Sequence, residues 1–351
     1  MDMQKKSFQF RNPVLDNMEN VKEESFVTGY QDTSAGRIPL VSTRLNRGDR
    51  LGMVKVRWGI GRMHYTVQPG LYGTGHPDAQ SPVMVTANYR MTFDRLRQDL
   101  DGLDTWILVL DTKGINVWCA AGKGTFGTDE LIRRIGLASL QEVVGHHTII
   151  VPQLGAPGVA AHEVKKATGF RVKYGPVYSK DIKTYIKQGM KVSLEMRDVH
   201  FDLKDRAVLI PMELVPALKF VPVILLLVTA VHLIHGGGFS TAMLEDVGAF
   251  AGAIAVGAVF VQIFLPWIPF RSFALKGWLL GLLYAAGLNL TGLAVNPVSN
   301  FLLLPPLSAF LALNFTGSTT FTSLSGVQKE IRYATPVMII SALSGLVLKI
   351  I

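Results

Sequence analysis

The chain has 351 residues, 49% of them hydrophobic and 17% charged, with a formal net charge of +9. Those averages fit neither a disordered chain nor an ordinary soluble enzyme. They conceal two compositions: from Ala217 onward there are six Lys or Arg and three Asp or Glu, and the other 29 and 23 precede it. One soluble domain followed by one membrane domain is therefore expected. The basic residues of the first part are interspersed with acids, which argues against a nucleic-acid partner. A single cysteine, Cys119, excludes an internal disulfide, a cysteine-only zinc site and an iron–sulfur cluster held by this chain alone.

Residues 1–50 read as a polar arm, and the first 24 contain no apolar run of the kind a cleavable signal needs, so the soluble domain is expected in the cytoplasm. From Val54 apolar runs alternate with amphipathic stretches, which predicts a Rossmann-like α/β domain over residues 51–193. Its strands are expected at 83–87, 106–110, 148–151 and 170–173, and its helices at 93–100, 129–136, 159–168 and 180–188. Ligands in such sheets bind beyond the carboxyl ends of the strands, which points to the loops at 86–92, 111–127, 152–158 and 174–178. Neither nucleotide fingerprint fits these loops. The spacing from Gly114 to Gly122 is too long for a phosphate loop, and the GxGxxG spacing of Gly122, Gly124 and Gly127 does not follow a strand.

The segment Asn116-Val-Trp-Cys-Ala-Ala-Gly-Lys123 has its own local logic. Asn116 is a good N-cap, Val117 to Ala121 make one or two helical turns, and Gly122 can take the left-handed conformation that ends them. Cys119 then lies in the first turn, where unpaired amides and the positive end of a helix favour an anionic sulfur. The competing readings are a short strand ending at Trp118 and a cysteine that merely fills a core. Trp118 is expected to pack the helix on the sheet, Lys123 to cap carbonyls or meet solvent, and His146-His147 to be a loop pair.

Residues 194–216 are predicted as a β-hairpin linker, and 217–351 as an all-α transmembrane domain of five helices at 218–235, 247–270, 277–295, 298–315 and 334–351. Pro305-Pro306 should leave the fourth kinked, broken or re-entrant and packed against protein there. Arg271, Lys276, Lys329 and Arg332 fall in alternate loops, which by the positive-inside bias leaves the soluble domain in the cytoplasm of a multi-pass inner-membrane protein. Gly248, Gly252, Gly257, Gly277 and Gly281 read as close helix packing, and His232 and His235 as an interfacial pair.

The stretch from Asn116 to Lys123 resembles the cap-helix motif of the mercury-methylating corrinoid proteins, a family related to the corrinoid domain of the large subunit of the corrinoid iron–sulfur protein. The resemblance spans roughly residues 50–200, and the five-span domain fits it. It implies a base-off corrinoid with Cys119 as the lower axial ligand of cobalt, and Asn116, Val117, Trp118, Cys119, Ala120, Ala121, Gly122 and Lys123 beneath the corrin. Thr86 and Thr92 would lie near it, with Leu154, Gly155, Ala156, Pro157, Gly175, Pro176 and Val177 at the corrin and its nucleotide tail. The histidine-ligating motif D-x-H-x-x-G is missing, since the run from Asp198 to Leu203 lacks the glycine. The implied activity is methyl transfer from the corrinoid to Hg(II), with a ferredoxin-like partner carrying two four-iron clusters and a folate-linked methyl donor. A membrane-tethered corrinoid methyl carrier of one-carbon metabolism is the alternative, and a membrane sensor or transporter with a ligand-binding domain the third reading.

Overall fold

A computed structural model describes residues 24–292, 296–319, 321–322 and 324–351. The chain divides into two compact units, one of residues 24–56 and 60–199 and the other of 57–59 and 200–351. The start of the expected polar arm, 1–23, lies outside the described residues. The remainder of that arm is ordered structure: β1 (Val27–Thr33) and β2 (Gly36–Val41) form an antiparallel hairpin, and α1 (Arg47–Arg57) follows. Their alternation of Thr, Tyr, Ile and Val with polar residues is a strand pattern that the overall polarity of the segment masks.

The first unit is built on a seven-stranded sheet in the order β1-β2-β3-β5-β4-β6-β7. The further strands are β3 (Gly70–Thr74), β4 (Val83–Ala87), β5 (Thr105–Leu110), β6 (Thr148–Val151) and β7 (Arg171–Tyr174). β5, β4, β6 and β7 run parallel, whereas β3 runs antiparallel to β5. All of β4 and β5 is buried, as both-sided coverage requires. Side chains alternate between two cores: Val83, Val85, Trp106, Leu108, Ile149 and Val151 on one face, Met84, Ile107, Val109 and Ile150 on the other. Against the first face pack α3 (Val117–Lys123), α4 (Thr128–Leu137), α5 (Leu140–Val143) and α6 (Ala161–Thr168). Against the second pack α2 (Arg90–Asp99) and α7 (Ile182–Lys187).

Because β4 is flanked by β5 on one side and β6 on the other, the strand order reverses between β4 and β6. The chains leaving these two strands diverge to opposite faces, which opens a crevice at their carboxyl ends.

The second unit is helical. Residues 194–216 are not a hairpin: a 3₁₀ turn at Glu195–Arg197 precedes α8 (Leu203–Leu218), capped by Asp202. Pro211 and Pro216 lie inside α8, and its local apolar run mimics a strand in sequence. α8 and α9 (Val221–Ile234) form a pair bent by 46°. α10 (Thr241–Phe264), α11 (Phe273–Leu290), α12 (Pro297–Asn314) and α13 (Leu324–Ile350) follow. Among the described residues, four helices are long and apolar enough to cross a membrane, or five if the bent pair counts as one.

Of the expected kink, break or re-entrant turn, the break does not occur: α12 is continuous through Pro305 and Pro306. Pro306 has no amide for the Leu302 carbonyl four residues back, and Ser341 Oγ of α13 donates to that oxygen at 2.8 Å instead. Three glycines bring other helices onto α12. A Cβ at Gly277 or Gly281 would sit 2.6 Å from the backbone of Ala309 or Pro305, and one at Gly257 2.6 Å from the Ser308 carbonyl. Gly248, by contrast, faces open space, and Gly252 abuts the Tyr284 ring. Gly257 belongs to a π-helical turn, Val256–Phe260, and Ser308 Oγ donates to the Ala253 carbonyl just before it.

Candidate functional site

The switch-point crevice holds a cavity of about 370 Å³ whose lining is mostly apolar. Thr86 comes from β4, Tyr89, Met91, Thr92 and Arg95 from the turn into α2 and its outer turns, and Pro152 and Leu154 from the loop after β6. Gly175 to Lys180 follow β7, and Asn116 and Val117 at the start of α3 complete the wall.

α3 forms as the cap chemistry dictates. Asn116 is extended and its Oδ1 accepts the Cys119 amide at 2.9 Å, which satisfies one of the first-turn donors. The rival strand through Trp118 is therefore ruled out. The helix is longer than expected at its other end: Gly124 (φ 80°), rather than Gly122, takes the left-handed cap. The cap falls two positions later, where the Gly124 amide donates to the Ala121 carbonyl and the Thr125 amide to the Ala120 carbonyl.

The loop that delivers Asn116 is tied to the end of β4. Asn88 Oδ1 accepts from the Thr112 amide (3.1 Å), the Thr112 hydroxyl (2.8 Å) and the Gly114 amide (3.0 Å). Gly114 has φ 70°, and a Cβ there would lie 2.8 Å from Thr66. Asp111 in the same loop is held below the ordinary carboxylate range. Burial opposes this, but the Lys113 ammonium and amide outweigh it.

α3 presents two faces. Val117, Ala120 and Ala121 are buried in the core, so the alanines do not open space for a flat ligand. They let the helix lie close to the 3₁₀ segment Gln153–Gly158. A Cβ on Gly158 would meet the Phe126 carbonyl at 2.0 Å and the Ala121 Cα at 3.2 Å, and one on Gly155 would meet the Phe126 ring at 2.4 Å. Trp118, Cys119, Gly122 and Lys123 lie on the exposed outer face. Cys119 is thus not a core cysteine, and Trp118, 40% exposed, does not pack the helix on the sheet.

Of the residues expected from sequence, Thr86, Thr92, Asn116, Val117, Leu154, Gly175, Pro176 and Val177 line the cavity, whereas Ala120, Ala121, Gly155, Ala156, Pro157 and the outer face of α3 do not. Asn88 and Tyr178 lie in the loops that the sequence pointed to but were not singled out, and Arg95, Asp99, Ser179 and Lys180 were passed over. Arg95 pairs with Asp99 at 3.2 Å one turn on, Ser179 donates to the same carboxylate, and Lys180 Nζ lies 4.9 Å from the Tyr178 ring. The i,i+4 spacing of Arg95 and Asp99 was the available signal, but it reads equally as a solvated face.

The model of a family described as CO dehydrogenase/acetyl-CoA synthase delta subunit matches residues 58–186, which hold most of this site. Subunit gamma of the acetyl-CoA decarbonylase/synthase complex of Methanopyrus kandleri is 32% identical over 127 residues, 35% of this chain and 27% of that protein. The gamma subunit of Methanothermobacter thermautotrophicus is 30% identical over 182 residues, 50% of this chain and 39% of that one, and the subunit of Archaeoglobus fulgidus 31% over 124 residues, 35% and 26%. The likeness is to acetyl-CoA decarbonylase/synthase subunits. It overturns the resemblance to mercury-methylating proteins and, with it, the expectation that Hg(II) is the methyl acceptor: the match over the α/β domain is to subunits of an acetyl-CoA enzyme complex. The chain spans only about a quarter to two-fifths of the length of these relatives.

Proposed function

We propose that this chain is a corrinoid-dependent methyl carrier of one-carbon metabolism, anchored in a membrane by its helical unit. The observation that carries the reading is an exposed thiol on a short capped helix beside an apolar switch-point cavity, within the segment that matches an acetyl-CoA synthase family. The residues fit the group: the outer face of α3 with the Cys119 thiol is open, and the neighbouring cavity has the apolar lining that a large, largely apolar ring needs. When bound, the corrinoid supplies a cobalt centre able to take up and give out a methyl group.

The chain's own part is to bind and orient. Cys119 Sγ would hold the cobalt of the cofactor, because a thiolate is a soft, strongly donating ligand. Asn116 fixes the turn that carries Cys119, and Asn88 fixes the loop that carries Asn116. Leu154, Pro176 and Val177 give the cavity its apolar wall, and Lys180 offers a cation to the phosphodiester of the cofactor tail. With one cysteine in the chain, reducing electrons come from a separate iron–sulfur protein, and the methyl group from a folate-linked donor. The relatives are by name subunits of a complex, which supports partner proteins docking at the α/β domain.

The membrane reading is supported by an inverted distribution of side chains in the helical unit. Leu226, Leu283, Ile340 and Leu343 are more than half exposed, while Gln262, Lys276, Ser299, Asn300 and Ser308 are buried. Arg271, Lys329 and Arg332 gather at one end, which by the positive-inside bias faces the cytoplasm and puts the α/β domain there.

Anaerobic reconstitution of the purified full chain with a methylated corrinoid tests the carrier reading. The wild type is expected to retain the cofactor, with a thiolate-shifted cobalt absorption that Cys119→Ala abolishes and Cys119→His replaces by a nitrogen-ligated spectrum. Failure to retain any corrinoid sinks the carrier reading, and an unchanged alanine spectrum sinks the axial role of Cys119.

A further inference from the structure

The basic end of the helical unit contains a second concavity. Between α11 and α13 lies an open crevice of about 840 Å³. Leu275 and Trp278 of α11 and Val337 of α13 give it apolar walls. Arg271 and Lys329 line it as well, and both are exposed. Among the described residues neither has an acidic partner within 4.0 Å. One carboxylate, that of Glu330, also lines the crevice, but its Oε2 accepts from Ser272 Oγ at 3.0 Å and from the Ala274 amide at 3.1 Å. It is held at the N-terminus of α11, and among the described residues it forms no ion pair with either cation.

We infer that this crevice binds an anionic phospholipid, its phosphate between Arg271 and Lys329 and an acyl chain against Trp278, Leu275 and Val337. Two cations against the single carboxylate of Glu330 leave the crevice lining net positive, which calls for an anion, and the apolar wall continues down two helices that are themselves exposed and apolar. A free phosphate would use the cations and leave the slot unfilled. A lipid uses both. Basic pockets between spanning helices on the positive side are where anionic headgroups gain most, and a tryptophan beside them suits the interfacial depth. The inference rests on the membrane reading above.

The full chain, purified in mild detergent, is first reconstituted into vesicles of phosphatidylcholine alone, and lipid retention is then titrated by native mass spectrometry with phosphatidylglycerol, phosphatidylcholine and inorganic phosphate. The expected result is incorporation into neutral vesicles, a preference of about tenfold for phosphatidylglycerol, and its loss in the Arg271→Gln/Lys329→Gln variant. Should that variant fail to fold, Trp278→Ala serves in its place and is expected to weaken retention of the lipid. No incorporation overturns the membrane reading and the lipid site together. Incorporation with equal retention of the two lipids overturns the site alone, as does a preference that survives the substitutions or is erased by inorganic phosphate.

Discussion

Asn116 and Gly158 carry more of the site than their size suggests. A seven-residue helix has little intrinsic stability, so α3 depends on its cap and on the loop pressed against it. Asn116→Ala removes the acceptor for the Cys119 amide and is expected to cost about 1 kcal/mol, with Asn116→Asp retaining most of it. Thermal melting of the three proteins checks this, and an alanine variant that melts like wild type would show that the cap does not hold the helix. Gly158→Ala forces a methyl against the Phe126 carbonyl, where no side chain can yield. A loss of about 1–3 kcal/mol is expected, together with faster amide exchange across α3 than across α4. The cap was legible in sequence because it is local chemistry. The burial of Ala120 and Ala121 was not, since which face of α3 meets the sheet is set by residues thirty positions away.

At the scale of elements, α1 and α2 are joined by a buried charge cluster that composition gave no means of finding. Asp49 accepts from Arg90 at 2.9 Å and from Arg97 at 2.7 Å, and Arg97 also binds Asp94 at 2.8 Å. Burial works against ionised Asp49, yet Arg97 and Arg90 hold its carboxyl below the ordinary range. Burial pushes Asp94 the other way and there prevails over Arg97. A depressed carboxyl contributes stability that is fully present above its unfolded value, near about 4, and lost as pH falls through the lower folded value. Asp49→Asn leaves the buried Arg97 guanidinium and the partly buried one of Arg90 each short of a partner. Its expected cost is about 3–5 kcal/mol at neutral pH, with a shallower acid limb in the stability profile. Denaturant titrations between acid and neutral pH measure both. An acid limb as steep as that of wild type would exclude Asp49 as its source.

For the whole molecule, the helical unit is held by polar ties inside an apolar exterior. Asp246 of α10 accepts from Lys349 of α13 at 2.6 Å and pairs with His232 of α9 at 3.0 Å, all three largely buried. Asp246→Asn strands the ammonium and is expected to destabilise the unit by about 3–5 kcal/mol in detergent melts. Replacing both Asp246 and Lys349 by leucine should cost much less, because no unpaired charge remains. Equal losses in the two variants would mean that packing rather than the ion pair binds these helices. Strands 83–87 and 148–151 and the helical run of the second half could be read from periodicity and hydropathy. The hairpin of β1 and β2, β3, and α8 could not, because β1 and β2 mix polar with apolar residues, the wholly buried β3 is short and carries two glycines, and α8 is an apolar helix interrupted by two prolines.

The sequence by itself determined what nearest neighbours decide: the Asn116 cap, the alternation of the buried strands, and the apolar length of the carboxyl-terminal helices. It also carried a likeness resting on the motif at 116–123 that pointed to one methyl acceptor, while the family match over residues 58–186 is to subunits of an acetyl-CoA complex. Only the tertiary structure decided that β4 lies between β5 and β6, so that loops far apart in the chain meet at one crevice. It also decided that Cys119 faces outward while the two alanines after it face the core. The reason is that strand order and helix orientation are fixed by contacts between segments distant in sequence, where local pattern specifies which residues will be buried but not against what.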